Sequence, residues 1–188
     1  MRTAANPSRS LGRVSAVGVG GGVVASLVMA LFAMVASATY QHTGFFTPLH
    51  HIASSIISGS AMMRSMQAAM GGNSFLFAPT AAVVGAVLHL MTGAAFGVVF
   101  VLVARALRLR GATVVAVGAI FGLAVFAAST WIGLPIVASL FGGGDPVRNM
   151  ATMVGYPTFV IEHVIFGLAL GALVTRPLSQ VGPTHTSR

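Results

Sequence analysis

Cysteine and lysine are both missing from this chain, and only two acids, Asp145 and Glu162, occur in its 188 residues. Without cysteine there are no disulfides, iron–sulfur clusters, thiolate zinc sites or cysteine nucleophiles, and the redox compartment leaves no trace. With two acids, paired-carboxylate catalysis has little to work with. A Ser/His/Asp triad can be drawn on paper from Asp145, but no motif fixes it. Charge of either sign is scarce, at 6% of residues against about 25% in an ordinary soluble domain. So few charges cannot cover a water-facing surface, and most of the exterior must therefore face lipid.

All ten basic residues are arginine, which gives a net charge of +8. Elsewhere such a balance points to nucleic acid or an acidic partner. Here the arginines stand at the ends of apolar runs, where membrane topology alone places them, so no nucleic-acid partner is expected. The Arg-only, Ala/Gly/Val-rich composition suits a GC-rich bacterial genome, and with it a bacterial inner membrane.

Four apolar stretches, 14–38, 79–104, 112–136 and 156–175, reach the roughly 20 residues that cross a bilayer. Arg2, Arg9 and Arg13 precede the first, Arg105, Arg108 and Arg110 lie between the second and third, and Arg176 and Arg188 follow the fourth; only Arg64 and Arg148 fall on the other side. This bias puts both termini in the cytoplasm of a multi-pass cell-membrane protein. A competing reading takes the first run, ending in Ala36-Ser37-Ala38, as a cleaved signal peptide that would leave three spans. The run is much longer than a signal core of about 7–15 residues, which favours an uncleaved helix.

The expected fold is all-α: one four-helix transmembrane bundle over 14–176, between a cytoplasmic N-terminal tail, 1–13, and a polar, disordered tail, 177–188. In the long first outer loop, Phe45, Phe46 and Pro48 read as an interfacial anchor. Ile52, Ile56, Met63, Met66 and Met70 recur near helical spacing, which predicts one amphipathic helix over 52–70, ended by Gly71-Gly72-Asn73. Gly142-Gly143-Gly144-Asp145-Pro146 predicts a turn in the second outer loop.

The chain reads as a tandem duplication of a two-helix hairpin. Ala16-Val17-Gly18-x-x-x-Gly22 in the first span returns as Ala116-Val117-Gly118-x-x-x-Gly122 in the third. His89-x-x-x-Gly93-x-x-x-Gly97 in the second returns as His163-x-x-x-Gly167-x-x-x-Gly171 in the fourth. Two spans per half imply a pseudo-two-fold axis along the membrane normal. Glycines four apart share a helix face and let backbones approach, which identifies these eight as helix-packing residues. Gly18-x-Gly20-x-Gly22 lies inside an apolar span with no strand before it, so it is not a nucleotide fingerprint.

His89 and His163 fall at similar depth in the second and fourth spans, diagonal neighbours in an up-down bundle. With adjacent axes about 8–10 Å apart, the diagonal is on the order of 11–14 Å, a gap that two imidazoles can bridge around one metal ion or a haem iron. The two His/Gly motifs resemble those of b-type cytochrome membrane helices, and the likeness implies haem b held by His89 and His163. The plainer reading of each histidine is a hydrogen bond to a neighbouring helix. Glu162, the one acid inside a span, suggests a proton path, because intramembrane ionisable groups are costly and functional. His42, His50, His51, Met63, Met66 and Met70, with Met62, Met150 and Met153 nearby, offer imidazole and thioether ligands that suit copper, though methionine at helical spacing is also ordinary packing. The functional expectation is a non-enzymatic accessory or structural membrane module, in a homo-oligomer or larger membrane complex. The alternatives are a haem- or metal-binding redox module and a proton-linked transporter or channel.

Overall fold

The computed structural model describes residues 7–180, with side chains from 11 to 178. Residues 1–6 and 181–188 lie outside the described residues, and with them part of the expected N-terminal tail and most of the expected C-terminal one. Nine α-helices follow in order, and no strand occurs among the described residues. They are α1 Pro7–Ala38, α2 Thr47–Ala53, α3 Ser60–Met70, α4 Pro79–Ala106, α5 Ala112–Ala128, α6 Leu134–Phe141, α7 Gly144–Arg148, α8 Met150–Val154 and α9 Tyr156–Gln180; a π-helical turn, Ser129–Gly133, joins α5 to α6. Four of these units are long and apolar enough to cross a membrane: α1, α4, the α5–α6 run and α9.

The spans are small inside and large outside. Gly18, Gly22, Ala25, Met29, Ala33 and Ala36 share the buried face of α1, while Leu27, Leu31, Val83, Met91 and Ile120 point outward. Lipid gives no hydrophobic drive between helices, so contact area comes from close backbone approach. A Cβ on Gly22 would run into the Gly93 carbonyl of α4, and one on Gly97 into the Gly18 carbonyl. On the other pair, a Cβ on Gly118 would strike the Gly167 carbonyl of α9, one on Gly122 the His163 carbonyl, and one on Gly171 the Val114–Val115 backbone. Thus α1 packs on α4 and α5 on α9 through the same kind of glycine contact, and α1 joins the pairs by packing on α9.

The core is concentrated at the end bearing the Arg105–Arg110 loop. Val14, Phe100, Val101, Val114, Phe166, Leu170 and Val174 fill it, with Phe96 and Phe121 packed against them. The opposite end is covered by short helices. The segment 52–70 is not the single helix its spacing predicts. The Ser54 hydroxyl bonds the His51 carbonyl instead of solvent, and the chain turns through Ser55–Gly59 before α3 begins at Ser60; serine competes with the helix ladder in this way. Helix α2 then lies on the start of α4, where Gly85 leaves room for the Leu49 backbone.

Three further boundaries differ from the sequence reading. Helix α1 already includes Pro7–Arg13, which the sequence reading placed in the N-terminal tail. The third span continues past 136 to Phe141, with the π turn inserted. Pro177 does not end the fourth span: α9 runs through it to Gln180.

Candidate functional site

Above the packed core, a cavity of about 600 Å³ opens between the spans and beneath α2. Its floor includes Phe96, from the phenylalanine group in which Phe96 and Phe100 meet Phe121 at ring distances of 6.4 and 5.1 Å. Its walls are Met29 and Ala33 of α1, Leu88, His89 and Thr92 of α4, Ser129 and Ile132 of the π turn, and Phe159, Glu162 and His163 of α9. Residues 159, 162 and 163 share a helix face, since three- and four-residue steps bring side chains back to one side. The adjacency of Glu162 and His163 therefore does not keep them from one cavity.

Short contacts cross the far end. Gln41 Nε2 donates to the Val154 carbonyl at 2.7 Å and Tyr40 pairs with Thr158 at 2.9 Å, tying the end of α1 to α8 and α9. His51 Nε2–H donates to the Pro146 carbonyl at 2.9 Å, tying α2 to α7. The mouth is bordered by residues that also face outward: Thr92 on α4, Ile132 on the π turn and Phe141 on α6. Thr92 and Ile132 lie within spans, while Ile56 and Met153, also exposed on the lining, belong to the cap of short helices.

The π turn shapes that border. Ser129, Ile132 and Gly133 of this turn line the cavity wall, and π turns inside α-helices recur at functional sites. The Thr130 hydroxyl within it is buried with no partner among the described residues.

Each histidine of the cavity has one nitrogen committed. His89 Nε2–H donates to the Ser26 carbonyl at 3.0 Å, and His163 Nδ1–H to the Phe159 carbonyl at 2.7 Å. The His163 ring also packs edge-on against Phe159 and Phe126, with centroids 4.6 and 5.8 Å away. Glu162 is 5% exposed and no described side chain bonds its carboxyl.

Of the expected copper ligands His51 and Met66 reach the cavity, as do Met150 and Met153 from the thioethers noted beside them. His42, Met63 and Met70 are exposed on the surface, and His50 is buried in α2. The six therefore do not all line one space. Among the described residues no three His, Asp or Glu side chains stand close enough to hold one metal ion. Outside the spans, burial lowers the His50 pKa and the nearby Arg64 charge lowers it further. Burial also lowers the His51 pKa, against the opposing effect of its bond to Pro146.

The sequence reading did not include the cavity's hydroxyls and amide: Ser37, Gln41, Thr43, Thr47, Thr92 and Ser129. The available signal was small polar residues inside apolar runs, above all Ser129-Thr130 shortly before Pro135. No protein-family model, curated protein or solved structure matches this chain.

Proposed function

We propose that this membrane protein binds a small, mostly apolar molecule that reaches the cavity from the bilayer. The observation that carries the reading is the cavity itself. Its volume of about 600 Å³ falls in the range of about 300–1,000 Å³ that small-molecule sites occupy. Its wall is mainly apolar with a few converging polar groups, the usual make-up of such sites. Met29, Met66, Met150 and Met153 line it as well, and thioether side chains adapt to a ligand's shape.

The same reading takes the four spans as a bundle built by tandem duplication of a two-helix hairpin, with both termini and the Arg105–Arg110 loop in the cytoplasm. The matching glycine contacts of α1 on α4 and of α5 on α9 support the duplication. On this orientation the core seals the cytoplasmic half and the cavity lies in the outer half. A transporter or channel would need Phe96, Phe100 and Phe121 to part. Haem or metal held by His89 and His163 would have to use the remaining nitrogen of each ring, or break its bond to Ser26 or Phe159. We therefore place ligand binding ahead of both.

Filling the space tests the reading. Ala33 is 8% exposed and faces the cavity. Protein with Ala33→Phe is expected to elute from size exclusion as wild type does, but to lose the apolar small molecules that native mass spectrometry finds on wild type. Equal retention by both proteins contradicts the proposal.

A further inference from the structure

We infer that the ligand is a lipophilic amine, whose protonated N–H head sits on Glu162 and His163 while its apolar body fills the rest of the cavity. This rests on the ligand-binding reading above and adds the chemistry of the head group.

The polar lining is one-sided. A backbone carbonyl can only accept, so each histidine bonded to one must donate. His51, His89 and His163 all do so, to Pro146, Ser26 and Phe159. In the neutral ring the other nitrogen then carries a lone pair: Nδ1 of His51, Nδ1 of His89 and Nε2 of His163. The remaining donors follow the same pattern. The Ser37 hydroxyl donates to the Gly44 carbonyl at 2.7 Å, the Thr92 hydroxyl to the Leu88 carbonyl at 2.8 Å, and the Gln41 amide to Val154. Ser55 and Ser129 keep hydroxyls that rotate and can accept as readily as donate. Most of the cavity's donors are thus held on its own backbone, while the imidazole lone pairs stay unused.

Glu162 gives that surface a sign. It is a carboxyl group, 95% buried, facing the cavity with no hydrogen-bond partner among the described residues, and no arginine is among the lining residues. A buried acid left unmatched is strongly unfavourable, and in membranes such groups mark the ligand or ion they meet. A head group with acceptors only, such as a quinone or an ester, can take a hydrogen bond from a protonated Glu162 but leaves the imidazole lone pairs unmatched. A protonated amine finds a carboxylate, an imidazole lone pair at the next residue, and the rings of Phe96, Phe141 and Phe159 lining the same space, whose faces attract cations. A permanent cation without N–H would use the charge and the rings but not the lone pairs.

The test uses the intact wild-type chain in phosphatidylcholine nanodiscs. Dicyclohexylcarbodiimide, itself apolar, modifies carboxyl groups in apolar surroundings, and peptide mass distinguishes an adduct on Glu162 from one on the exposed Asp145. N,N-dimethyldodecylamine is compared with dodecanol, which has the same chain and no charge. At about ten times its dissociation constant the amine is expected to slow labelling of Glu162 about tenfold, while the alcohol at the same concentration, lacking a charge-assisted hydrogen bond that is worth about tenfold in affinity, slows it no more than about twofold. In parallel, Glu162→Gln is expected to reduce amine retention in native mass spectrometry about tenfold; the labelling arm stands even if that variant fails to fold. Equal slowing by amine and alcohol overturns the amine inference and leaves an apolar ligand site. No slowing by either, with Glu162 readily labelled, overturns it too. A Glu162 that never labels, in a protein that retains neither compound, overturns the cavity reading with it.

Discussion

Two glycines on α1, two residues apart, show how a single methyl group acts in this protein. Gly22 lies against the Gly93 backbone, where an added Cβ meets the carbonyl, whereas Gly20 has nothing within 4 Å of that position. We expect Gly22→Ala to destabilise by about 1–3 kcal/mol through overpacking and Gly20→Ala to be neutral, as measured by thermal unfolding in one detergent. Equal effects would mean that the α1–α4 contact is not held by backbone approach. His50 and His51 give a residue-scale dependence on pH. Both have a folded pKa lowered by burial, so the unfolded or detached segment binds protons more readily than the docked one. The stability they contribute is full above the ordinary histidine value of about 6.5 and is lost progressively as pH falls from there through the lowered folded pKa. Hydrogen exchange across Thr47–Ala53, corrected for the intrinsic pH effect, should be faster at acid pH than at neutral pH. Unchanged protection would contradict the assignment.

At the scale of elements, α2 and the π turn matter most, and the sequence showed them least. The four spans were readable because each is an unbroken apolar run, and the glycine rows because i, i+4 spacing fixes a face. The one-helix reading of 52–70 went astray because apolar spacing cannot register the Ser54 hydroxyl competing for the backbone. The π turn adds one residue without changing composition, so the third span looked uniform. Glu162 was legible as costly, but whether it met water, an arginine or a cavity depended on how α4 and α5 diverge, which no local pattern records. The seat of α2 on α4 depends on Gly85, where a side chain would collide with Leu49. Gly85→Ile should therefore lift α2, and α3 with it, so that trypsin cuts after the exposed Arg64 several-fold faster while the spans remain helical. Cleavage at the wild-type rate would show that the α2–α3 cap is held elsewhere.

At the scale of the whole molecule, two glycine-packed pairs meet chiefly through α1 and α9, and this organisation predicts that the chain can be divided. Residues 1–109 and 110–188, expressed together as separate chains, should co-purify, because the α1–α9 contact does not need the covalent Arg105–Arg110 link. Failure to associate, with each half inserted in the membrane, would argue against two packed hairpins. The division also accounts for the cavity. The core joins the pairs at one end, and at the other α4 stands apart from the π turn, leaving a space that α2 covers.

The most direct measurement is photolabelling in lipid nanodiscs with a neutral alkyl diazirine, the modified residues being located by mass spectrometry. The account predicts adducts on the cavity residues Met29, Ala33 and Phe159, which are 9%, 8% and 7% exposed and can be reached only from within, and their loss in Ala33→Phe. Labelling confined to lipid-facing residues such as Leu31, Met91 and Ile120, with none on the cavity wall, would contradict it.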